Sequence, residues 1–465
     1  MKFQYKYFVA AIYAIVLFLD RLDLTIVNIT LPSIAKSYHI PVTSTDWVSL
    51  SFLLALAISI PISCWLGERF GFKKIYILSM LLFGFGSTLC AFAPNLPILL
   101  LLRFVHGIGG GMLIPVGMTI IYRTFDKSEY ASITSFTFLP SLIAPAIAPF
   151  LGGVIQDLFG WQMVFLFSGP ISLMLAAISM YTLRDDRSKC IKKLDWIGFL
   201  LFSAILLDLF YTLSLIGHTG FILMILVGIL SVCVLVYLFI FHEKSAPNPL
   251  IDLHYFSNEV FVKSNLIQLC FQVCHFGAIY IVGIYLQIGV GMIASMAGLV
   301  MGMQAIGAIC TSRYSVKLFN QHGAKLPITI GLVGVAVLSP LVLFIRSADM
   351  FGFALLLFFI RGLFSGLCGT PIQTLSVISF NKDDIASVNT IFNACRQVSI
   401  SLGMAISSGL MVIGFNDDDL SKTSEIINKS DLIQVFGLGF LVIPVVALIG
   451  VLITSSLKNR TLRGG

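Results

Sequence analysis

Leu19-Asp20-Arg21-Leu22-Asp23-Leu24-Thr25-Ile26-Val27-Asn28 sets two carboxylates and an arginine inside an apolar stretch running from about residue 7 to residue 32. On insertion scales a charge at the bilayer centre costs at least about 2.5–3.5 kcal/mol, so such groups face a bundle interior or a water-filled cavity rather than lipid. Asp20 and Asp23 are three residues apart and share a helix face, with Arg21 turned about 100° from Asp20. The stretch predicts a membrane helix whose polar side works inside a bundle, and the rest of the chain must supply that bundle.

The composition agrees. Of 465 residues, 58% are hydrophobic and 11% charged, against about 45–50% and 25% in soluble domains. The net charge of +7 comes from basic residues in short loops between apolar segments. That is a membrane-orientation signal, so nucleic acid is not expected as a partner. The first apolar run is long enough to span and continues without a small-residue cleavage site, so no cleavable signal is expected. Nine cysteines lie scattered with no C-x-x-C pair, which argues against a disulfide framework or zinc site. Cys270, Cys274 and His275 lie close in sequence, but no carboxylate joins them, so no metal is expected. No phosphate-cradling G-x-x-x-x-G-K-[ST] loop occurs, and no cofactor or ATP-driven step is expected.

Apolar stretches of bilayer length number fourteen, at about 7–32, 46–66, 75–94, 98–122, 130–155, 162–182, 196–216, 220–241, 264–288, 295–312, 326–345, 351–375, 388–413 and 432–456. With a cytoplasmic N-terminus, 21 of the 29 Lys and Arg residues fall inside, 4 outside and 4 within spans, which puts both termini in the cytoplasm of a bacterial inner membrane. The basic stretch 184–193 and the polar break 242–263 isolate segments seven and eight. The expected domains are therefore a six-helix bundle over 1–183, a linker with two additional helices over 184–260, and a second six-helix bundle over 261–465.

An internal repeat supports this division. Segment four has Arg103, Gly107, Gly111 and Pro115; the fourth segment of the last block has Arg361, Gly362, Gly366, Gly369 and Pro371. In each, a glycine follows the arginine by eight residues. Gly71-Phe72-Lys73 and Gly323-Ala324-Lys325 occupy matching loops. Duplicated halves are the pattern of transporters that bind substrate between repeats.

Candidate chemistry follows from membrane depth. At 1.5 Å per residue, Asp23, Arg103 and His106 lie at depths that agree within about 6 Å, so they can cluster. An arginine beside a carboxylate favours its charged form, and making or breaking the pair changes its proton affinity; a fixed structural ion pair is the alternative. His106 is a candidate for proton transfer or a core histidine. Asn389, Asn393, Arg396 and Gln397 form one stripe, and Gln268, Gln272 and His275 another. Such stripes face a cavity or a hydrogen-bonded helix seam. With Asn28 and Arg361 they are the expected cavity residues. Asp208 is a further mid-membrane acid without an assigned role. Pro140, Pro145, Pro149 and Gly152-Gly153 make segment five a candidate gate with a kink or local unwinding, the alternative being close packing.

These residues resemble the Major Facilitator Superfamily, within it the drug:proton antiporters with fourteen spans. Leu22-Asp23-Leu24-Thr25-Ile26-Val27-Asn28 with Leu31-Pro32 is similar to the first-helix signature of that subfamily. Leu66-Gly67-Glu68-Arg69-Phe70-Gly71-Phe72-Lys73-Lys74 is similar to the loop motif between helices two and three, with Glu68 where aspartate is usual and Cys64 in place of glycine. Arg103, Gly107, Gly109 and Gly111 resemble the fourth-helix motif, with His106 where glutamine is common, and Ala144-Pro145, Ala148-Pro149 and Gly152-Gly153 the fifth-helix antiporter motif.

The resemblance implies an all-α major facilitator fold of two pseudo-symmetric six-helix bundles plus two extra helices. It implies that Asp23 is the proton-linked acid and Arg103 its partner, with His106 and Asp20 adjoining. Glu68, Arg69, Gly71 and Lys73 would form a cytoplasmic latch, and Pro145, Pro149, Gly152 and Gly153 a gate. The expected function is proton-coupled export of small amphipathic molecules, drugs or endogenous metabolites including siderophores, by a monomer in the lipid bilayer, with an outer-membrane efflux protein as a conceivable partner. A proton-coupled importer is the nearest alternative. An integral-membrane enzyme using Asp23 and His106 as acid and base is disfavoured by the duplicated halves, and no enzymatic activity is expected.

Overall fold

Apolar runs punctuated by caps and glycines fold into a helical bundle. The computed structural model describes residues 2–125, 130–184, 193–215, 222–247, 249–380, 385–414 and 432–457. Most of the basic stretch 184–193 and Asn248 of the second polar break lie outside them. Among the described residues every regular element is a helix. The first seven are α1 (Lys2–Ile26), α2 (Leu31–Tyr38), α3 (Asp46–Phe70), α4 (Phe72–Cys90), α5 (Leu96–Thr124), α6 (Tyr130–Phe159) and α7 (Gln162–Thr182). Next come α8 (Trp196–Ser214) and α9 (Ile222–Ser245). The last seven are α10 (Glu259–Ile284), α11 (Ala294–His322), α12 (Lys325–Leu338), α13 (Phe351–Ser365), α14 (Gly369–Val377), α15 (Ile385–Gly414) and α16 (Leu432–Ser455). Twelve spans are long and apolar enough to cross a membrane, α12 with the turn after it and α13 with α14 each making one. Among the described residues α1, which carries the charged run, and α6 are two further long helices, so the architecture is consistent with fourteen crossings.

Local chemistry sets the ends. Asn95 caps α5 by accepting from the Ile98 N–H at 3.1 Å, and Asn258 caps α10 by accepting from Val260 N–H at 3.0 Å and Phe261 N–H at 3.2 Å, the usual role of short polar side chains there. Gly71 breaks α3 from α4 at φ 99°, a conformation glycine adopts without a Cβ penalty. Three expected spans are interrupted rather than continuous. α1 ends in a 3₁₀ turn over Val27–Ile29 before Pro32, α12 ends in a 3₁₀ turn begun by Pro340, and α13 and α14 part at Gly366. In contrast α6 runs unbroken through Pro140, Pro145 and Pro149.

In the first half α5 packs against α3 and α4, α4 against α7, and α1 against α6; in the second α10 packs against α15 and α16, α11 against α13, and α12 against α16. Glycine permits the closest approaches, as small residues do in membrane bundles: a Cβ on Gly107 would strike the Phe52 carbonyl of α3, and one on Gly109 the Phe83 amide of α4. The halves meet through α6 with α11 and α3 with α15, and α8 lies against both α3 and α15. The α6–α11 seam is equally tight, since a Cβ on Gly298 would meet the Pro149 carbonyl and one on Gly153 the Ala294 carbonyl. α9 has mostly exposed apolar side chains, including Leu223, Leu226, Leu230 and Phe241, the surface a lipid-facing helix presents.

Away from the described termini the halves are joined. Gln287 Nε2 donates to the Ile29 carbonyl at 2.9 Å, while Asp157 accepts from the backbone N–H groups of Ala294 at 3.2 Å and Ser295 at 2.9 Å.

Candidate functional site

α5 turns Arg103 towards α1, where its Nη1 donates to Asp23 Oδ2 at 2.7 Å, and its Nε donates to the Val48 carbonyl of α3 at 3.0 Å. Ser168 of α7 donates to Asp23 Oδ1 at 3.4 Å. Nη1 also lies 3.0 Å from His106 Nδ1. Because guanidinium nitrogens only donate, that ring nitrogen is the acceptor and His106 is neutral with its proton on Nε2. Nε2 is buried without a hydrogen-bond partner. Phe52 and Phe165 stack on the guanidinium with ring centroids 4.4 and 5.5 Å away, a cation–π arrangement. Both members of the ion pair are 1% exposed. This pair is therefore dry, and its charges depend on each other.

Asp20 is treated differently. One turn earlier on the same face, it is fully buried, neither carboxyl oxygen has a hydrogen-bond partner, and the nearest cationic atom is Arg21 Nε at 3.8 Å. It looks at Gly110 of α5, where a Cβ would lie 3.2 Å from Oδ1. Arg396, on α15 of the other half, has its Nε buried without a hydrogen-bond partner.

The repeated arginine of the second half, Arg361 on α13, is 1% exposed and has no carboxylate partner among the described residues. It donates to Gln304 Oε1, to Ser339 Oγ at 3.2 Å and to the Cys274 carbonyl at 3.0 Å. With Oε1 so engaged, Gln304 Nε2 is the donor to His275 Nδ1, 3.0 Å away. Where the first half uses arginine, aspartate and histidine, the second uses arginine, glutamine and histidine.

Between the halves is a cavity lined by Arg21, Leu24 and Thr25 of α1, Pro145 and Pro149 of α6, His275, Phe276 and Ile279 of α10, and Met301, Gln304 and Ala305 of α11. By residue order along each of these helices it lies on the terminus side of the Gln287–Ile29 and Asp157–Ser295 joins.

Of the residues singled out in the sequence, Asp23, Arg103 and His106 come together, and His275 with Pro145 and Pro149 reaches the cavity wall. Asn28 lies in a helix seam, donating to the Leu24 carbonyl at 3.3 Å and accepting from Ser49 at 3.1 Å. Gln268, Gln272 and Gln397 are buried, and Asn393 donates back to Asn389 on its own helix. Gly152 packs on Ile26 of α1, and Gly153 on the start of α11. Glu68, Arg69, Gly71 and Lys73 sit at the α3–α4 junction, where Arg69 stacks on Trp65 and Phe70 at 5.3 and 5.7 Å. Asp208 lies on α8, outside the cluster, with Oδ2 buried and unpartnered.

Sequence reasoning missed Ser168, the Val48 carbonyl, Gln304 and the cavity position of Arg21. Gln304 carried a signal, an amide alone in an apolar segment; a backbone acceptor carries none.

Two sets of transmembrane helices with repeated buried arginines, facing each other across a polar-apolar cavity, define a membrane transporter of small molecules. The sequence profile described as Major Facilitator Superfamily matches residues 13–404, and the chain belongs to that superfamily. Over 398 residues it is 29% identical to a protein of Klebsiella pneumoniae subsp. pneumoniae named multidrug resistance protein MdtD, covering 85% of this chain and 84% of that one. The fold is shared with a bacterial homologue of the human lysosomal transporter Spinster in an inward-facing, unoccupied conformation, at TM-score 0.66 and 15% identity over 97% of this chain and 96% of that one. It is shared equally with a D-xylose-proton symporter, at TM-score 0.66 and 13% identity over 98% and 100% of the two chains.

Proposed function

We propose that this transporter exchanges protons for small amphipathic molecules, exporting them across a bacterial inner membrane by alternating access. The observation that carries the reading is the asymmetry between the halves: a buried carboxylate pairs with the repeated arginine in the first half, and a neutral amide takes its place in the second. Only the first arrangement can gain and lose a proton at a carboxylate. Asp23 binds the proton when its pair with Arg103 is broken, and His106, whose Nδ1 accepts from Arg103, adjoins the pair. Asp20 is a second proton-binding acid on the same face.

The cavity between bundles 1–183 and 261–465 receives the substrate, and residues 184–260 add the peripheral helix pair. With both termini cytoplasmic, as the Lys and Arg distribution supports, the joined end is the outer one and the structure is inward-facing. Glu68, Arg69, Gly71 and Lys73 then lie at the cytoplasmic surface as latch elements, and α6 with Gly152 and Gly153 gates the outer seam. The name of the Klebsiella relative supports drugs among the substrates. Since one chain supplies both walls of the cavity, a monomer suffices, and translocation rather than catalysis is the activity.

The test is proton flux from purified protein in proteoliposomes on adding candidate cations, anions and neutral metabolites, with wild type beside Asp23→Asn. A substrate-evoked signal lost in the variant supports coupling through Asp23. Equal signals refute it.

A further inference from the structure

The base of the α8–α9 hairpin holds two acids that transport through the central cavity does not use. Asp195 caps α8: its Oδ1 accepts from the Gly198 N–H at 2.9 Å and from His242 Nε2 of α9 at 2.7 Å. Glu243, the next residue on α9, is 4% exposed, and its Oε2 accepts from the Ile251 N–H at 3.1 Å. Each acid thus commits one oxygen. The other two, Asp195 Oδ2 and Glu243 Oε1, are buried and have no hydrogen-bond donor. Both press on one point of α8, since a Cβ on Gly198 would strike either oxygen, and the two side chains are within hydrogen-bonding reach of each other.

Two carboxylates at one buried point repel, so one of them keeps a proton and donates it to the other. Asp195 has the partners that favour its charged form, a histidine ring and a backbone N–H at a helix N-terminus. That leaves Glu243 as the carrier. Among the described residues the charged groups acting on Glu243 are Asp195 and His242. Lys244 beside it is exposed. From α3 comes Arg69, stacked on Trp65 and Phe70, and from α15 the apolar Val398. The turn after Ile251 carries His254 and Asp252, whose Oδ1 accepts from the His254 N–H. A cation in place of the proton would want more oxygens than the two that converge, and no group of three metal-ligating side chains occurs among the described residues.

We propose that Glu243 and Asp195 share one proton through a hydrogen bond from Glu243 Oε1 to Asp195 Oδ2, forming a proton-binding site separate from Asp23 that clasps the hairpin to the chain entering the second bundle. The clasp acts through Ile251. Glu243 holds its N–H, while its side chain packs on two apolar clusters, one including Phe202 and Phe239 of the hairpin and the other Phe261 and Phe271 of α10. α8 in turn lies against α3 and α15, one helix from each half. Removing the proton leaves two negative charges at one buried point, which turns Glu243 out to water and releases Ile251. The clasp is therefore closed when the pair is protonated and opens as pH rises. The orientation proposed above puts it at the cytoplasmic surface, but the shared proton depends neither on that orientation nor on transport.

The test uses purified full-length protein, wild type beside Glu243→Gln and Asp195→Asn. Each variant replaces a carboxyl by an amide of the same shape that keeps the acceptor oxygen and supplies a donor. Infrared difference spectra of wild type minus each variant, at about pH 6 and about pH 9, read the carbonyl stretch of a protonated carboxyl. Wild type should show one such band in excess at the lower pH and lose it at the higher. Exchange of the Ile251 amide, corrected for its intrinsic pH dependence, should quicken at least about tenfold over that range in wild type and less than about twofold in Glu243→Gln. His242 is common to all three proteins and cancels from the comparison. Asp195→Asn gives the same contrast if Glu243→Gln misfolds. No excess band, flat exchange in wild type, or equal pH dependence in wild type and variants each overturn the shared proton. Sodium or magnesium chloride restoring slow exchange in wild type at the higher pH, where choline chloride of equal ionic strength does not, would also overturn it in favour of a bridging cation. Neither readout involves translocation, so a failure here leaves coupling through Asp23 standing, and a failure of the Asp23→Asn flux assay leaves this site standing.

Discussion

Asp20 and Asp23, one helical turn apart, should respond in opposite ways to the same substitution. Asp23→Asn removes the counter-charge 2.7 Å from Arg103 while leaving that guanidinium 1% exposed. Breaking a buried pair from one side costs about 3–5 kcal/mol because the remaining charge stays buried and uncompensated. Arg103 keeps the Val48 carbonyl and the faces of Phe52 and Phe165, so the lower end, about 3 kcal/mol, is expected. Asp20→Asn removes no hydrogen bond, since neither oxygen has a partner. It should change stability by less than about 1 kcal/mol, or increase it, because a neutral amide is cheaper to bury than a carboxylate. Arg103→Gln with Asp23→Asn should recover at least about 1 kcal/mol of the summed single losses, as coupled pairs do. The assay is reversible unfolding in bicelles by steric trapping, with all four variants checked for monodispersity. Equal losses for Asp20→Asn and Asp23→Asn, or strict additivity in the double variant, would refute the assignment of one hydrogen-bonded ion pair and one acid held only by the longer contact to the partly exposed Arg21.

Other consequences are smaller in scope. Gly109→Ala, which would press a methyl on the Phe83 amide, should destabilise by about 1–3 kcal/mol through overpacking; Gly110→Ala, whose nearest neighbour would be a side-chain oxygen at 3.2 Å, should cost far less in thermal melts of the same preparation. Asp157→Ala removes the acceptor of two backbone N–H groups at the start of α11, each such charged bond being worth about 1.5–3 kcal/mol. It should shift the population toward opening of that end, read as a longer spin-label distance between the ends of α6 and α10; an unchanged distance distribution counts against the join. Glu243 and Asp195 each leave one buried oxygen unpartnered beside Gly198, while Glu243 Oε2 accepts from the Ile251 N–H at 3.1 Å. Glu243→Gln keeps that bond and offers a donor to the unpartnered Asp195 Oδ2, so the melting temperature should hold or rise; a fall would show that the two oxygens are not in contact.

The amino-acid sequence by itself determined the number of crossing segments, because a lipid core demands about twenty apolar residues wherever the chain spans it. It also allowed Asp23 and Arg103 to meet, at depths that agree within about 6 Å, and the family resemblance named them as partners. The repeat marked Arg361 as the counterpart of Arg103 but not what would face it, because Gln304 comes from a helix 57 residues away in sequence. Helix periodicity put Gln268, Gln272 and Gln397 on polar stripes without saying whether a stripe meets a cavity or a neighbouring helix; a stripe has the same pattern in both settings. The three prolines of α6 were compatible with a kink, local unwinding or close packing, and the helix runs unbroken through them, while breaks fell at the 27–29 turn, at Pro340 and at Gly366. Only the tertiary structure decided that Asp20 is left without a hydrogen bond, 3.8 Å from Arg21, where Asp23 is hydrogen-bonded to Arg103, and that Arg21 turns into the cavity. Those outcomes depend on which helix lies opposite, with Gly110 facing Asp20 and Arg103 facing Asp23, and packing between distant segments leaves no trace in local spacing.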